Sequence, residues 1–168
     1  VGSTVGSEVL GYTAAAANDA HVGTLSKYIS AMALADGGTG ATKGLATNYR
    51  LPVLNTANAP VTISAKALTV SGTTVDSRAY DGTTAATLSN GSLVGVLVGD
   101  SLVLTQTGGF ASKDYSSTAI GVTATSTFSV GSSSNNSAQS DYSITAPIGL
   151  TGFINKKIII SSCTHVKR

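Results

Sequence analysis

The residues able to do chemistry are few and scattered. His21 and His165 are the only histidines and Cys163 is the only cysteine. Cys163-Thr164-His165 offers two ligands, half of the four that structural zinc takes, so no metal and no cofactor are expected. Asp19 stands near His21, but no serine sits in a nucleophile-elbow pattern to complete a triad. Asp76, Asp81, Asp100, Asp114 and Asp141 are spread along the chain with no Asp-x-Asp run. Calcium needs several oxygens converging from one short loop, so these carboxylates read as caps of turns and strand ends. The glycine-rich turns lack the lysine and the strand-to-helix setting of a phosphate loop. With no catalytic constellation, the chain is expected not to be an enzyme. Tyr49, Tyr80, Tyr115 and Tyr142 suit rings packed on a sheet with bonded hydroxyls; stacking on sugars is the alternative. Asn90-Gly91-Ser92 and Asn135-Asn136-Ser137 match the glycosylation acceptor pattern.

The composition says what must position these residues. In 168 residues, 42% are hydrophobic, 5% aromatic and 11% charged, with no tryptophan. The charged share is less than half of the roughly 25% usual in globular domains. Such a chain builds a thin core of Val, Ile, Leu and Ala beneath strands whose outer faces carry hydroxyls. Its apolar residues fall in short, evenly spaced bursts, which argues against a disordered linker. Net charge is +2, and the basic pairs Lys156-Lys157 and Lys167-Arg168 fall far short of a nucleic-acid footprint. No apolar run approaches the roughly 18 residues of a membrane span. No signal peptide is read at the N-terminus, so secretion would place the targeting segment outside this sequence. A single cysteine excludes an internal disulfide and leaves Cys163 as a free or inter-chain thiol.

Period-two alternation runs through Ser101–Thr105, Ile120–Thr125, Tyr142–Ile144 and Leu150–Ile154. Leu88–Ser92, Thr107–Gly109 and Gly131–Ser137 read as turns between them. Spacing near ten residues predicts an all-β fold of small antiparallel sandwich-like domains. Ala14–Ala17 favours helix by propensity, but its place in the pattern predicts strand or loop.

The central stretch runs from Arg78 to Leu88. It joins the strand-like runs Ala67–Gly72 and Leu93–Leu97 through Asp81-Gly82, a strong turn signal because glycine accepts positive φ. Thr83-Thr84 then suits extended backbone. Tyr80-Asp81-Gly82-Thr83-Thr84, followed by Val98-Gly99-Asp100 and by Asp141-Tyr142-Ser143-Ile144-Thr145, resembles the YDG repeat of large bacterial surface adhesins. The resemblance covers residues 65 to 155. It implies secretion by two-partner or autotransporter routes, an extracellular or cell-surface location, and a β fold that allows a β-grasp-like variant with a short helical turn.

An internal match organises the rest. Val5-Gly6 and Val98-Gly99 lie 93 residues apart, as do Tyr49 and Tyr142. Ile63-Ser64-Ala65-Lys66 matches Ile154-Asn155-Lys156-Lys157 at an offset of 91, the difference falling in the loop near Asn55 to Asn58. Residues 1–64 therefore read as a partial repeat lacking its opening strands, and 65–155 as a complete one. Residues 156–168 read as a strand-like tail, because Lys157-Ile158-Ile159-Ile160-Ser161 stands where Lys66-Ala67-Leu68-Thr69-Val70 stands. Pro60 stiffens the join between units, so the tandem domains are expected to form an elongated rod.

The function expected is a structural stalk or fibre repeat of an extracellular adhesin, serving cell adhesion and biofilm. Its partners would be neighbouring repeats of a longer chain, or copies of itself in a head-to-tail homopolymer. In the second case Lys157, Ile158, Ile159, Ile160, Ser161 and Ser162 form the donated strand and Cys163 lies at the junction. The alternative is a module binding surface glycans through Tyr115 and the Ser132–Ser137 loop.

Overall fold

The computed structural model describes residues 6–23 and 25–160. The chain divides into two compact units, Val1–Ala65 and Lys66–Arg168. The fold is all-β: strands are the main regular structure, and the helical content among the described residues is three short 3-10 turns, Gly40–Thr42, Ala46–Asn48 and Gln139–Asp141.

In the first unit, β1 (Leu10–Ala17) and β2 (Ile29–Asp36) form an antiparallel hairpin with Leu10 opposite Asp36. The alanine run is strand, because pairing with β2 satisfies its backbone and overrides helix propensity. Lys27, in the connecting loop, is buried and ion-paired with Asp19, whose other oxygen accepts the His21 N–H at 2.9 Å. His21 therefore belongs to a capped loop. Among the described residues of this unit only Lys27 and Gly44 are buried; no apolar side chain is.

The second unit is built on one long hairpin. β3 (Lys66–Ser71), β4 (Thr74–Val75), β5 (Arg78–Ala79), β6 (Ala85–Ala86), β7 (Leu88–Ser89) and β8 (Ser92–Val94) are short. β9 (Asp100–Phe110) and β10 (Ile120–Ser133) follow, then β11 (Tyr142–Thr145), β12 (Leu150–Gly152) and β13 (Ile154–Asn155). A four-stranded sheet runs β12-β10-β9-β6 and a three-stranded sheet runs β11-β3-β8. Along β10 the even-numbered residues from Ile120 to Phe128 turn inward while Thr123, Thr125, Thr127 and Ser129 face solvent. That is the half-buried alternation expected of a strand with one face on a core.

Two apolar clusters sit at the two ends of this hairpin. One holds Phe110, Ile120, Val122 and Ile154, with Val75, Tyr80, Ala86, Leu88 and Leu150 packed around them. The other holds Leu68, Phe128 and Tyr142, joining β3 and β11 of the three-stranded sheet to the hairpin strand β10. Between them lies a polar seam: the Gln106 amide donates to Ser126 Oγ at 3.3 Å and Thr73 Oγ1 at 3.1 Å, and Ser126 is buried. Buried hydroxyls need such partners.

Two expectations are corrected. The sheets are not purely antiparallel: β11 runs parallel to β3, and β13 parallel to β5. The turns are fewer and shorter than expected: Leu88–Ser89 is β7, Ser92 opens β8 and Gly131–Ser133 ends β10, and Thr107–Gly109 is part of β9, paired with β6 and β10. Glycine is used there for close approach, since a Cβ on Gly108 would stand 3.0 Å from Leu88 Cγ and 3.1 Å from the Ala86 carbonyl.

Candidate functional site

The Tyr80–Thr84 motif folds as a capped turn between β5 and β6. Gly82 takes φ +85°, a conformation that L side chains rarely adopt. The Thr83 N–H and hydroxyl both donate to Asp81 Oδ1 at 2.9 Å. Arg78 closes the turn from below. Its Nη1 faces the Asp81 carboxylate as an ion pair, its Nη2 donates to the Thr83 carbonyl, and its guanidinium carbon lies 5.5 Å from the centre of the Phe110 ring. No hydrogen-bond partner meets Arg78 Nε. Tyr80 leads back to the core: its N–H donates to the Asn155 carbonyl at 2.8 Å, while Phe110 N–H donates to the Thr84 carbonyl at 2.7 Å. The turn thus ties β13, β5 and the end of β9 together.

The Asp81 carboxyl is held down to about 2, first by the two Thr83 bonds and then by Arg78. A depressed carboxyl contributes stability above its unfolded value near ~4 and loses it as pH falls through the folded value. Urea stability followed between pH 5 and 2 should therefore fall more steeply in the native protein than in Asp81→Asn. Parallel curves would show the turn uncoupled from folding.

A second polar knot fixes the open end of the hairpin. Asp100 accepts from Ser133 Oγ at 2.6 Å, Tyr142 Oη at 2.5 Å and Asn135 Nδ2 at 2.9 Å. These donors, Ser133 first, hold its carboxyl well below the usual range. Burial, and then the bond to Asp100, pushes the Tyr142 hydroxyl up. A bulge between Val130 and Ser132 brings Ser133 opposite Asp100. In the first unit Tyr49 Oη likewise donates to Glu8, at 2.5 Å.

The Tyr80–Thr84 turn, the Asp100 knot and the hairpin all lie in the stretch matched by a model of the YDG domain, residues 64–148, which is half of the chain. The chain belongs to the YDG domain family. No curated protein and no solved structure matches it.

The remaining sequence-predicted residues of this YDG protein are not brought to one site. Lys157, Ile158, Ile159 and Ile160 follow β13 without strand pairing, and the three isoleucines are 85%, 89% and 89% exposed. Ser161, Ser162 and Cys163 lie outside the described residues, as does His165. The Ser132–Ser137 loop is engaged with Asp100, Gly99 and Val98. Tyr115 is half-exposed with the Lys156 ammonium 4.8 Å from its ring centre. Among the described residues no group of three His, Cys, Asp or Glu side chains could hold a metal, and no helix is long and apolar enough to cross a membrane. Sequence reasoning missed Arg78, and it read Asp100 as a strand-end cap in the Val98-Gly99-Asp100 motif without pairing it to Tyr142. The two tyrosine–carboxylate pairs are not in register, Tyr142 standing 42 residues after Asp100 and Tyr49 41 after Glu8, and Arg78 had no signal beyond lying next to the motif.

Proposed function

We propose that the chain is a structural stalk or fibre module of a bacterial extracellular adhesin, made of YDG-type units in series and extended head to tail through its C-terminal strand. Reach and stiffness are the function, and no substrate is turned over. The observation that carries this reading is the placement of like elements at one offset. β1 and β2 lie 93 residues before parts of β9 and β10, and the 3-10 turn Ala46–Asn48 lies 93 before Gln139–Asp141. Each turn leads into a tyrosine whose hydroxyl meets a carboxylate near the start of the preceding hairpin. A unit repeated in kind and used for its polar locks rather than for a cleft suits a spacer.

Extension is supported by two separate features: the Ile158-Ile159-Ile160 run is exposed, and the first unit has no buried apolar side chain among its described residues. A head-to-tail contact does not close on itself and gives open filaments. The test is electron microscopy with size exclusion of the chain and of a form cut after Asn155. Filaments from the chain and monomers from the cut form are expected. Filaments that survive the cut, or a chain that stays monomeric at every concentration, would overturn the assembly.

A further inference from the structure

In the second unit, β3 is the central strand of the three-stranded sheet and carries a fully buried core side chain. It lies between β11 and β8, and its Leu68 is fully buried among Phe128, Tyr142, Leu93 and Ile144. Its parallel ladder with β11 has four rungs: Tyr142 opposite Lys66, Ser143 opposite Ala67, Ile144 opposite Leu68, and Thr145 opposite Thr69. The counterparts of β11 in the first unit, 93 residues earlier, are Tyr49, Arg50, Leu51 and Pro52. Arg50, Leu51 and Pro52 are placed in no strand and no sheet pairing. The counterparts of β3, 91 residues later, are Lys157 to Ile160, and these are unpaired and exposed.

We infer that Lys157–Ile160 of one copy of this chain pairs in parallel with Tyr49–Pro52 of a second copy, in the register Lys157–Tyr49, Ile158–Arg50, Ile159–Leu51, Ile160–Pro52, with Ile159 filling the place that Leu68 fills in the second unit. This rests on the end-to-end reading above and gives it a partner and a register.

Two rungs carry the specificity. Tyr49 opposite Lys157 repeats the residue pair Tyr142 opposite Lys66. Leu51 opposite Ile159 repeats the apolar pair Ile144 opposite Leu68 with the two residue types exchanged. A strand's side chains alternate between faces, so a slip of one residue would turn Ile159 away from the core side. Around the slot, Val9 stands where Leu102 packs in the second cluster, and it is 51% exposed. Leu51 is half-buried. Pro52 falls on the last rung, where the missing N–H costs least because ladders tolerate proline at edges and ends. Ile158 and Ile160 then lie on the face that Ala67 and Thr69 expose.

The experiment is done in the full chain carrying Cys163→Ser. One preparation carries Arg50→Cys and a second, of distinguishable mass, carries Ile158→Cys; a third carries Ile159→Cys as the shifted control. On mild oxidation the Arg50→Cys and Ile158→Cys chains should form a mixed disulfide dimer at least tenfold faster than the Arg50→Cys and Ile159→Cys chains. Charge placed on the tail gives an independent readout, and these side chains are exposed in the isolated chain, so it does not disturb folding. Ile159→Asp should raise the concentration needed for assembly at least tenfold, and Ile158→Asp by less than threefold. Assembly that persists with the two pairs linking equally, or with Ile158→Asp the more damaging, overturns the register while the end-to-end reading stands. A wild-type chain that never assembles overturns both.

Discussion

Leu68→Ala should cost the second unit about 2–5 kcal/mol, the range for emptying a fully buried leucine site. The side chain is 0% exposed and belongs to the central strand of a three-stranded sheet. Truncation therefore removes apolar contact with Phe128 and Tyr142 and leaves a cavity that neighbours held in a sheet cannot close. Urea unfolding read through hydrogen exchange of the β3, β10 and β11 amides is the measurement. Thr69→Ala, one residue on and facing solvent, should change stability by no more than about 0.5 kcal/mol. A loss from Leu68→Ala as small as that would mean that the second cluster is not a core. The same number measures what a unit without an equivalent of Leu68 lacks, which is the gap that Ile159 would fill.

Phe110→Ala should destabilise by about 3–5 kcal/mol, and its effect should reach the motif turn. Phe110 is 4% exposed, anchors the first cluster and carries the Arg78 guanidinium on its ring face. Without the ring, Arg78 loses a cation–π contact worth about 0.5–2 kcal/mol and its hold on Asp81 loosens. The Asp81 carboxyl, followed by NMR, should titrate closer to its ordinary value. Phe110→Leu separates the two roles: it keeps most of the apolar volume but not the ring, so stability should largely recover while the Asp81 titration stays shifted. An Asp81 titration unmoved in both variants would show that Thr83 alone sets it.

What the sequence made legible was local. Asp81-Gly82 announced its turn because only glycine suits φ +85° there, and the alternation of Ile120 to Ser129 announced a strand with one buried face. The capping role of aspartate was legible at Asp81 and Asp141, each of which accepts a backbone N–H within three residues. Tyr142 packs and bonds through its hydroxyl as its type suggests, although the partner is a carboxylate as well as the backbone N–H of Leu97. What was not legible was pairing across long separations. Nothing near Lys66 encodes a parallel ladder with Tyr142, since the two are brought together by the intervening hairpin. Gly108-Gly109 misled because glycine marks close approach of backbones as often as it marks a turn. Nor could composition show that the inward side chains divide into two clusters: Ser126 sits in an alternating run like its neighbours, and only its bonding to Gln106 sets the seam.

The parallel ladders have a mechanical consequence. β3 begins the second unit and β13 is its last strand among the described residues, and each has a parallel partner. Tension drawn from Lys66 toward one side and from Asn155 toward the other slides β3 along β11 and β5 along β13. It loads their rungs in shear, all at once, instead of peeling them singly. A domain wired in this way gives under tension only when whole ladders fail together.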